Sequence, residues 1–285
     1  MSPVRRATTT GAVHDSPGAA EVATEAARRF LLGHRPGGSC GPLSAELVVL
    51  IAAFGEEDSV GSVVGAVGRD IAGLRSECIV VDDGSADATA EAAARAGALV
   101  CRLERNLGQG WALRVGYLLA RSRGARFIVT IDADGQHDPR EIGDLVAPLV
   151  AGRADFVNGS RRLGHSDDHD AFRAFGLELF GRLVTVLTGV SITDPANGFR
   201  AFSSRVVEDV PLSQPQYQTT ELLIGAIESG FSITEVPVTV RPRQHGESKK
   251  GHNLAYGARF ARTILMTWLR FRIPRMARRR ARWTG

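Results

Sequence analysis

Short apolar runs alternate with helical patterns from residue 47 onwards, and this alternation limits the choice of fold more than any other feature of the sequence. The apolar runs are Leu47–Ala53, Cys78–Val81, Ala98–Leu103 and Arg126–Ile131. The helical patterns between them are Asp58–Asp70, Asp87–Ala96 and Gly110–Arg121, in which Asp58 and Asp87 are suitable N-cap residues. Short buried strands that alternate with helices predict an α/β fold with a mostly parallel sheet and helices on both faces.

The later part of the chain mixes helical and strand patterns. In order, it predicts a helix at Pro139–Val150, a strand at Asp155–Asn158, a loop at Gly159–Asp170, a helix at Phe172–Thr188, a strand at Asn197–Ser203, a helix at Thr219–Ser229, a strand at Ser232–Val240 and a helix from about Asn253 to Phe271 that is broken by Pro274. Residues 1–44 have few large apolar side chains, so we expect them to be mostly disordered, with one short helix around Ala23–Leu32. The predicted domain therefore covers residues 45–252, followed by a basic segment at 253–285.

Composition excludes several classes of protein. With 285 residues, 44% of them hydrophobic, the chain can bury the core of one large α/β domain or two small ones. Its three cysteines, Cys40, Cys78 and Cys101, are too scattered for a disulfide framework and lack zinc-site spacing, which favours a reducing compartment. The N-terminus has no apolar signal region, and no apolar stretch reaches about 18 residues. We therefore expect neither a secretory signal nor a transmembrane helix.

Charge is distributed unevenly along the chain. The net charge is +4, yet eleven lysines and arginines and no acidic residues follow Glu247, so residues 1–247 carry a net charge of −7. In the last helical pattern, arginines flank an apolar side formed by Ala261, Ile264, Leu265, Trp268 and Phe271. Such a basic amphipathic helix predicts that residues 253–285 bind an anionic membrane surface. The helix at Phe172–Thr188 either flanks this surface or packs in the core. We expect no nucleic acid partner, because no nucleic-acid motif is present.

Acidic clusters follow two of the predicted strands. Asp82-Asp83-Gly84-Ser85 follows Val81, and Asp132-Ala133-Asp134 follows Ile131. One such cluster alone is explained by turn chemistry and an N-cap, but ligands of doubly wound sheets bind at the carboxyl ends of strands. Asp132 and Asp134 are two residues apart, so an extended segment points both to one side. Close carboxylates repel unless a cation lies between them. A hard divalent ion meets this need and could bridge the phosphates of a nucleotide.

These and later segments resemble, in order along the chain, the motifs of the family 2 glycosyltransferases. The matching segments are Val80-Val81-Asp82-Asp83-Gly84-Ser85-Ala86-Asp87-Ala88-Thr89, Asn106-Leu107-Gly108-Gln109-Gly110 with Ala112 and Gly116, Asp132-Ala133-Asp134-Gly135-Gln136-His137-Asp138-Pro139, Gly159-Ser160-Arg161, Asp194 with Gly198-Phe199-Arg200, and Arg243-Gln244-His245-Gly246-Glu247-Ser248-Lys249. The third segment is similar to the D-A-D-x-Q-H-D-P of polyprenyl-phosphate sugar transferases, the group that includes the dolichol-phosphate mannose synthases. The resemblance spans roughly residues 47–255 and implies a GT-A fold, a Rossmann-like α/β sheet that binds a nucleotide.

The resemblance also implies roles for individual residues. The implied donor-binding residues are Glu56, Asp82, Asp83 and Asp132, with Asp82 as the nucleoside contact and Asp83 as a second candidate. The implied ligands of Mg²⁺ or Mn²⁺ on the donor diphosphate are Asp132, Asp134 and Gln136. The implied phosphate-binding residues are Arg161, Arg173, Arg243, Ser248 and Lys249. Catalysis is implied for Asp134, Arg161, Arg243 and Lys249, whereas Glu221 matches an acidic position whose role stays open.

Two of these segments allow a second interpretation. The first strand ends in Ala52-Ala53-Phe54-Gly55-Glu56, where the family usually has P-x-Y-N-E. Glu56 is therefore either a donor ligand or an acidic residue that favours a helix N-terminus. The segment from Arg243 to Lys250 is either a solvated basic loop or a lid that clamps phosphates.

The implied activity is a metal-dependent, inverting transfer of a hexose, of mannose or glucose type, from a GDP- or UDP-sugar. The acceptor would be a polyprenyl or dolichyl phosphate at the cytoplasmic face of the membrane. Because a phosphate nucleophile is already an anion, it needs orientation and charge neutralisation rather than a strong base. His137 is then either a base or part of a helix entry, and Asp138 would be the base for a hydroxyl acceptor. Transfer to a soluble or saccharide acceptor and a non-catalytic nucleotide-sugar binding role remain alternatives. A Rossmann dehydrogenase is disfavoured, because no G-x-G-x-x-G follows the first strand.

Overall fold

The computed structural model describes residues 18–33, 45–166, 171–214, 217–242 and 254–283, without the side chains of residues 171–174, 254–256 and 274–283. Its elements are, in chain order, α1 (Ala19–Gly33), β1 (Leu47–Ala53), α2 (Val60–Ala66), β2 (Asp70–Ile71), β3 (Leu74–Asp82), α3 (Thr89–Arg95), β4 (Leu99–Arg102), α4 (Gln109–Ser122), β5 (Phe127–Thr130), a short 3₁₀ helix (Pro139–Glu141), α5 (Ile142–Val150), β6 (Phe156–Ser166), α6 (Ala171–Thr188), β7 (Arg200–Ser203), α7 (Ser204–Asp209), α8 (Gln218–Ser229), β8 (Ile233–Val240) and α9 (Leu254–Trp283).

The eight described strands form one sheet in the order β2-β3-β1-β5-β7-β6-β8, with β4 paired to β3. The strand pairs β1–β3, β1–β5, β3–β4 and β6–β8 are parallel. Strand β7 runs antiparallel between β5 and β6, and β2 runs antiparallel to β3, so the sheet is mixed. Ala53 pairs with Asp82, which brings the carboxyl ends of β1 and β3 level with each other. Because Arg200 at the start of β7 pairs with Thr130 at the end of β5, the segment before β7 reaches the same edge.

The central strands are buried on both faces, which explains their continuous apolar runs. In β1, Val48 and Leu50 join a core with α1, α4, α8 and α9, whereas Leu47, Val49 and Ile51 join a second core with α2, α3 and α5. All five side chains are inaccessible to solvent. The α/β layers with helices on both faces agree with the expected fold, and they leave one sheet edge free for the acidic clusters.

The predicted loop at Gly159–Asp170 is wrong over its first part, since β6 continues to Ser166 alongside β8. The pairing shifts between Ser160 and His165. The outer half of β6 is largely exposed and polar, so it lacks the apolar pattern by which the buried strands were recognised. The structure therefore extends a strand past Arg161, which fixes the backbone of that residue.

Helix ends also differ from their predicted positions. Helix α2 begins after Ser59 rather than Asp58, whereas Asp87 accepts a hydrogen bond from the N–H of Thr89 (3.1 Å) at the start of α3. Helix α9 continues through Pro274 to Trp283, contrary to the predicted break. Proline removes one helical hydrogen bond and can bend a helix without ending it.

Helix α1 covers and extends the short helix predicted around Ala23–Leu32. Its inner face consists of small apolar residues and one aromatic residue, namely Ala19, Ala23, Ala26, Ala27 and Phe30, and it packs against α4 and β4. An alanine-rich face can pack closely without large side chains, so this helix forms although residues 1–44 contain few of them. Residues 1–17 and 34–44 lie outside the described ranges.

Candidate active site

A cavity of about 270 Å³ opens at the carboxyl ends of β1, β3 and β5. Its lining residues come from four of the segments singled out in the sequence: Ala52, Ala53, Phe54 and Glu56 at the end of β1, Asp83 after β3, Asn106, Gly108, Gln109 and Ala112 around the start of α4, and Asp132, Ala133 and Asp134 after β5. The sheet therefore brings together four carboxylates that are separated by up to 78 positions in the sequence. Such a crevice at strand ends is the usual ligand site of an open α/β sheet.

The two adjacent aspartates after β3 have different environments. Asp82 is fully buried, accepts hydrogen bonds from the N–H (3.0 Å) and hydroxyl of Ser85, and lies 3.3 Å from Nε of Arg102. Asp83 lines the cavity and accepts hydrogen bonds from the N–H groups of Leu107 and Gly108, both at 2.8 Å. Burial raises the pKa of Asp83 to about 6, although these two donors lower it. Of the pair, Asp83 lines the cavity, whereas Asp82 holds the turn after β3.

The carboxylate of Asp132 lines the cavity and lies close to Gly198, which has no side chain to crowd it. A Cβ atom added at Gly198 would lie 3.1 Å from Oδ1 of Asp132, closer than ordinary side-chain contacts. Gln109 donates from Nε2 to the same oxygen at 3.3 Å. The carboxylate is thus held between the segment before β7 and the first turn of α4. Gln109 had no individual role in the sequence-based prediction.

Asp134 lines the cavity, whereas the side-chain amide of Gln136 forms a hydrogen bond to the end of β8. The N–H of Gln136 donates to Oδ1 of Asp134 at 3.1 Å. Its side chain donates from Nε2 to the carbonyl of Arg241 (3.1 Å), and the N–H of Arg241 donates to the carbonyl of Gln136 (2.8 Å). The loop after β5 is therefore joined to the end of β8, and the side-chain amide of Gln136 serves this junction.

The carboxylates suit a hard divalent ion but do not enclose one. Within the described ranges, no three histidine, cysteine or acidic side chains form a group that could hold a metal ion by themselves. Asp132 and Asp134 offer carboxylate oxygens beside open cavity space, with Gly198 making room for the first of them. Mg²⁺ is usually bound by one or two carboxylates together with substrate phosphates rather than by an all-protein cage. The residues present therefore fit a metal that arrives with a diphosphate.

The two candidate bases are poorly prepared for proton abstraction. His137 is buried against Phe199, with ring centroids 4.9 Å apart, and its backbone bridges to Val240. Burial lowers the pKa of His137 and outweighs the charge of Asp132, which raises it, while the charge of Arg161 lowers it further. Asp138 caps the 3₁₀ helix and forms ion pairs with Arg140 (2.8 Å) and Arg241 (3.0 Å). Hydrogen bonds from Arg140 lower the pKa of Asp138 to about 2, which makes it a weak base.

On the other side of this loop, Arg161 is held by a buried carboxylate. Its Nε and Nη2 donate to the two oxygens of Asp194 at 2.7 and 2.8 Å, and its backbone N–H donates to Oδ2 at 3.2 Å. Burial alone would raise the pKa of Asp194, but the hydrogen bonds and charge of Arg161 more than offset this, and the pKa is lowered. The bidentate contact fixes the plane of the guanidinium group.

A polar network that the sequence did not reveal lies behind Asp194. Arg200 is buried and donates to the carbonyls of Pro195 (2.7 Å) and Thr219, and burial lowers its pKa to about 10. Asn158 donates from Nδ2 to the carbonyl of Asp194 (2.9 Å) and to Oε1 of Glu235 (2.7 Å). Arg200 belongs to a recognised motif, but the only sequence signal for Glu235 is one acidic residue within the otherwise uncharged β8.

Glu56 and Glu221, the two acidic residues whose roles the sequence left open, lie in different places. Glu56 lines the cavity and accepts a hydrogen bond from the hydroxyl of Ser59 (2.9 Å) at the start of α2. It therefore lies at a helix N-terminus, and its role as a donor ligand stays a prediction. Glu221 is fully buried and accepts hydrogen bonds from the N–H groups of Ser213 and Gln214, both at 2.9 Å. It also pairs with Arg270 at 2.8 Å. This arrangement assigns Glu221 to joining α8, α9 and the loop before α8.

Four predicted phosphate-binding residues cannot be placed in the site. Arg173 belongs to α6, but its side chain lies outside the described atoms. Arg243, Ser248 and Lys249 lie outside the described residues. Their roles stay predictions.

The outer helices expose apolar and basic side chains. In α6, Phe175, Leu179 and Val186 are exposed and lie on one stripe. In α9, Ile264 is buried and Trp268 and Phe271 pack on the core, so part of the face predicted to meet lipid is turned inward. Among the described side chains of α9, the exposed large apolar ones are Leu265, Met266 and Ile273. No helix in the described part of the chain is long and apolar enough to span a bilayer.

Comparisons with known proteins give the same identification as the site geometry. The sequence model of "Glycosyl transferase family 2" matches residues 48–210. The dolichyl-phosphate hexose transferase of Haloferax volcanii is 31% identical over 228 residues, which cover 80% of this chain and 96% of that protein. The polyprenol monophosphomannose synthase of Mycolicibacterium smegmatis is 32% identical over 220 residues, covering 73% and 82%.

A solved structure of similar fold contains bound ligands. The glucosyl-3-phosphoglycerate synthase of Mycobacterium tuberculosis, in complex with Mn²⁺, uridine diphosphate and phosphoglyceric acid, is 25% identical, with a TM-score of 0.62 and coverage of 84% of each chain. Fold and sequence therefore agree on a GT-A glycosyltransferase. The chain belongs to glycosyl transferase family 2.

Proposed function

We propose that this glycosyltransferase moves a hexose, of mannose or glucose type, from a GDP- or UDP-sugar to a polyprenyl phosphate, with inversion and with Mg²⁺ or Mn²⁺ as cofactor. The observation that carries the proposal is the state of the two candidate bases. Asp138 is neutralised by two arginines, and His137 is buried with a lowered pKa. A hydroxyl acceptor would need one of them as a base, whereas a phosphate acceptor already carries the nucleophilic anion.

On the donor side, Asp132 and Asp134 would hold the metal, and Asp83 and Glu56 would face the nucleoside part of the donor. The metal, when bound, would neutralise charge on the diphosphate leaving group. The N–H contacts to Asp83 hold the Leu107–Gly108 turn against the cavity, so this wall is preorganised before the donor binds.

On the acceptor side, Arg161 would bind the acceptor phosphate. Its guanidinium group is oriented by Asp194. Its positive charge lowers the pKa of His137, which is three residues from Asp134 in the chain, so Arg161 lies near the donor side. Arginine suits this task because its planar donors match the oxygens of a phosphate. Arg173, Arg243, Ser248 and Lys249 are further candidates for the same phosphates. The relatives named for dolichyl phosphate and polyprenol support a lipid phosphate as the acceptor.

A lipid acceptor requires contact with a membrane, which we propose to occur at the outer faces of α6 and α9, together with the basic C-terminal part of α9. The two helices pack together through Phe180 and Phe260, with ring centroids 4.7 Å apart. Exposed apolar side chains on both, with arginines such as Arg182 and Arg262, suit an anionic bilayer surface. The enzyme would then work as a peripheral protein on the cytoplasmic face of the cell membrane.

A second candidate is transfer to a small, soluble phosphate acceptor. It is favoured by the similar structure of glucosyl-3-phosphoglycerate synthase, which was solved with phosphoglyceric acid. Both candidates use the same donor side and an acceptor that carries a phosphate group, so they differ in the acceptor alone.

The test is a transfer assay with radiolabelled GDP- and UDP-hexoses, Mn²⁺ or Mg²⁺, and either polyprenyl phosphate or phosphoglyceric acid. The proposal predicts labelled product that extracts into organic solvent with polyprenyl phosphate and disappears when the metal is chelated. Product that forms only with the soluble acceptor would replace the proposal by the second candidate.

A further inference from the structure

Glu235 on β8 uses both carboxylate oxygens to hold one short turn. Oε2 accepts hydrogen bonds from the N–H (2.8 Å) and the hydroxyl (2.7 Å) of Thr193. Oε1 accepts hydrogen bonds from the N–H of Asp194 (3.3 Å) and from Nδ2 of Asn158 (2.7 Å). A side chain with four donors around it fixes the position of those donors, because moving any of them would leave a partly buried polar group unpaired.

The turn held by Glu235 carries the side chain that orients Arg161. Asp194 is fully buried and receives the fork of the Arg161 guanidinium at 2.7 and 2.8 Å. Asn158 binds the carbonyl of Asp194 at 2.9 Å, and Arg200 binds the carbonyl of the next residue, Pro195, at 2.7 Å. The backbone on both sides of the Asp194 carboxylate is therefore anchored, and Glu235 supplies the anchor on its N-terminal side.

We propose that Glu235 is a positioning residue for Arg161, acting through Asp194. Glu235 holds the Asp194 carboxylate in the position where it accepts both hydrogen bonds from the Arg161 guanidinium group. Arg161 would then bind a phosphate in one fixed orientation. The inference rests on the phosphate-binding role proposed for Arg161. Such support matters because misplacing a binding group by about 1 Å can lower a rate about 100-fold.

Asp155 offers a matched control on the same two strands. Its carboxylate accepts hydrogen bonds from the N–H (2.9 Å) and the hydroxyl (2.6 Å) of Ser232, as Glu235 does with Thr193. It lies six residues before Arg161, or roughly 20 Å along an extended strand. A brace that only joins β6 to β8 should give Asp155 and Glu235 the same consequences when either is replaced.

The experiment compares Glu235→Gln with Asp155→Asn in the full chain, using two readouts. The first is modification of Arg161 by phenylglyoxal, followed by peptide mass spectrometry, which does not depend on any substrate. The second is kcat and KM for polyprenyl phosphate, corrected for the folded fraction, with Arg161→Lys alone and combined with Glu235→Gln. If Glu235→Gln folds poorly, Thr193→Val replaces it in the comparison, because this change removes one of the four hydrogen-bond donors to Glu235.

We expect Glu235→Gln to increase labelling of Arg161 and to lower kcat/KM about 10- to 100-fold, and Thr193→Val to act in the same direction. Asp155→Asn should lower the melting temperature without changing either readout. In the Arg161→Lys background, adding Glu235→Gln should have less than about a twofold further effect, because residues that act as a unit are not additive.

Unchanged labelling of Arg161, or kinetic effects that add fully in the double variant, would overturn the inference and leave Glu235 a structural brace. If the wild-type chain transfers nothing to lipid phosphate, the proposed function fails. The labelling experiment then still decides whether Glu235 positions Arg161.

Discussion

The two halves of the site meet at one sheet edge but differ in charge and construction. The donor half, at the ends of β1, β3 and β5, is an open cavity lined by four carboxylates. The acceptor half, at β6, β7 and β8, is an arginine fork held by a buried aspartate and the network behind it. The cavity carboxylates suit a diphosphate that carries a metal ion, whereas the oriented guanidinium group of Arg161 suits a phosphate without a metal ion. If the two halves have the proposed roles, the chemistry would depend on neutralising phosphate charge on both sides of the reacting bond.

The largest effect is expected from Asp134→Asn, which removes a carboxylate from the donor half. We expect kcat to fall at least about 100-fold, since a metal on the leaving group contributes several kcal/mol to the transition state. The matched change Asp138→Asn, four residues along, should lower kcat less than about tenfold. Transfer assays on both folded variants make the comparison. Equal losses would show that the halves are not divided as described and that Asp138 acts as a base.

Arg161→Lys tests the acceptor half separately. The charge stays, but the bidentate fork is lost, so we expect KM for polyprenyl phosphate to rise about 10- to 100-fold, the value of one or two charged hydrogen bonds. The dissociation constant for the nucleotide should not change. Arg162→Lys, whose guanidinium lies 3.5 Å from Glu178, is the neighbouring control. Weaker nucleotide binding with unchanged acceptor KM would place Arg161 in the donor half.

The proposed membrane contact would extend the acceptor half outward along α6. Replacing Phe175 and Leu179 by serine should reduce binding to anionic phospholipid vesicles about tenfold, because two large apolar side chains no longer enter the bilayer. Leu118→Ser, at another exposed leucine on α4, is the control. Co-sedimentation with vesicles measures both. Equal binding by all three proteins would remove α6 from the docking surface.

Gly198→Ala tests how tightly the donor half is built. The added Cβ atom would lie 3.1 Å from Oδ1 of Asp132, so the carboxylate must move by a few tenths of an ångström. We expect the metal concentration for half-maximal activity to rise about threefold to tenfold, as for other changes beside metal ligands. Gly143→Ala in α5, where a Cβ meets no neighbour, should leave it unchanged. An unaltered metal requirement in Gly198→Ala would argue against Asp132 as a ligand.

The smallest expected effect concerns pH and the buried His137 between the halves. Because its pKa is lowered in the folded state, the unfolded state binds the proton first as pH falls below about 6.5. Stability should therefore decrease below that pH, by up to about 1.4 kcal/mol per pH unit, and His137→Gln should remove this slope. Asp83, with its pKa raised to about 6, has the opposite dependence but contributes equally to both proteins. Urea unfolding of metal-free protein at pH 5.5 and 7 measures the difference, with His165→Gln as control.

The donor half could be predicted from the sequence further than the acceptor half. Strands β1, β3 and β5 are buried on both faces and give continuous apolar runs, so their ends, with Asp83 and Asp132, could be located. The sequence could not tell whether Asp82 or Asp83 faces the cavity, because that depends on which way the chain turns after β3. The acceptor half depends on β6, whose exposed outer part has no apolar pattern, and on Glu235, which contacts residues 41 to 77 positions away.

The measurement that tests the central claim most directly gives the enzyme two acceptors that differ in one group. Polyprenyl phosphate and the corresponding free alcohol are supplied with the same labelled donor and metal, at pH 6.5 to 8.5. The account predicts glycosylation of the phosphate only, because the site offers oriented positive charge and no competent base for an alcohol. Transfer to the alcohol at a comparable rate, rising with pH, would contradict it.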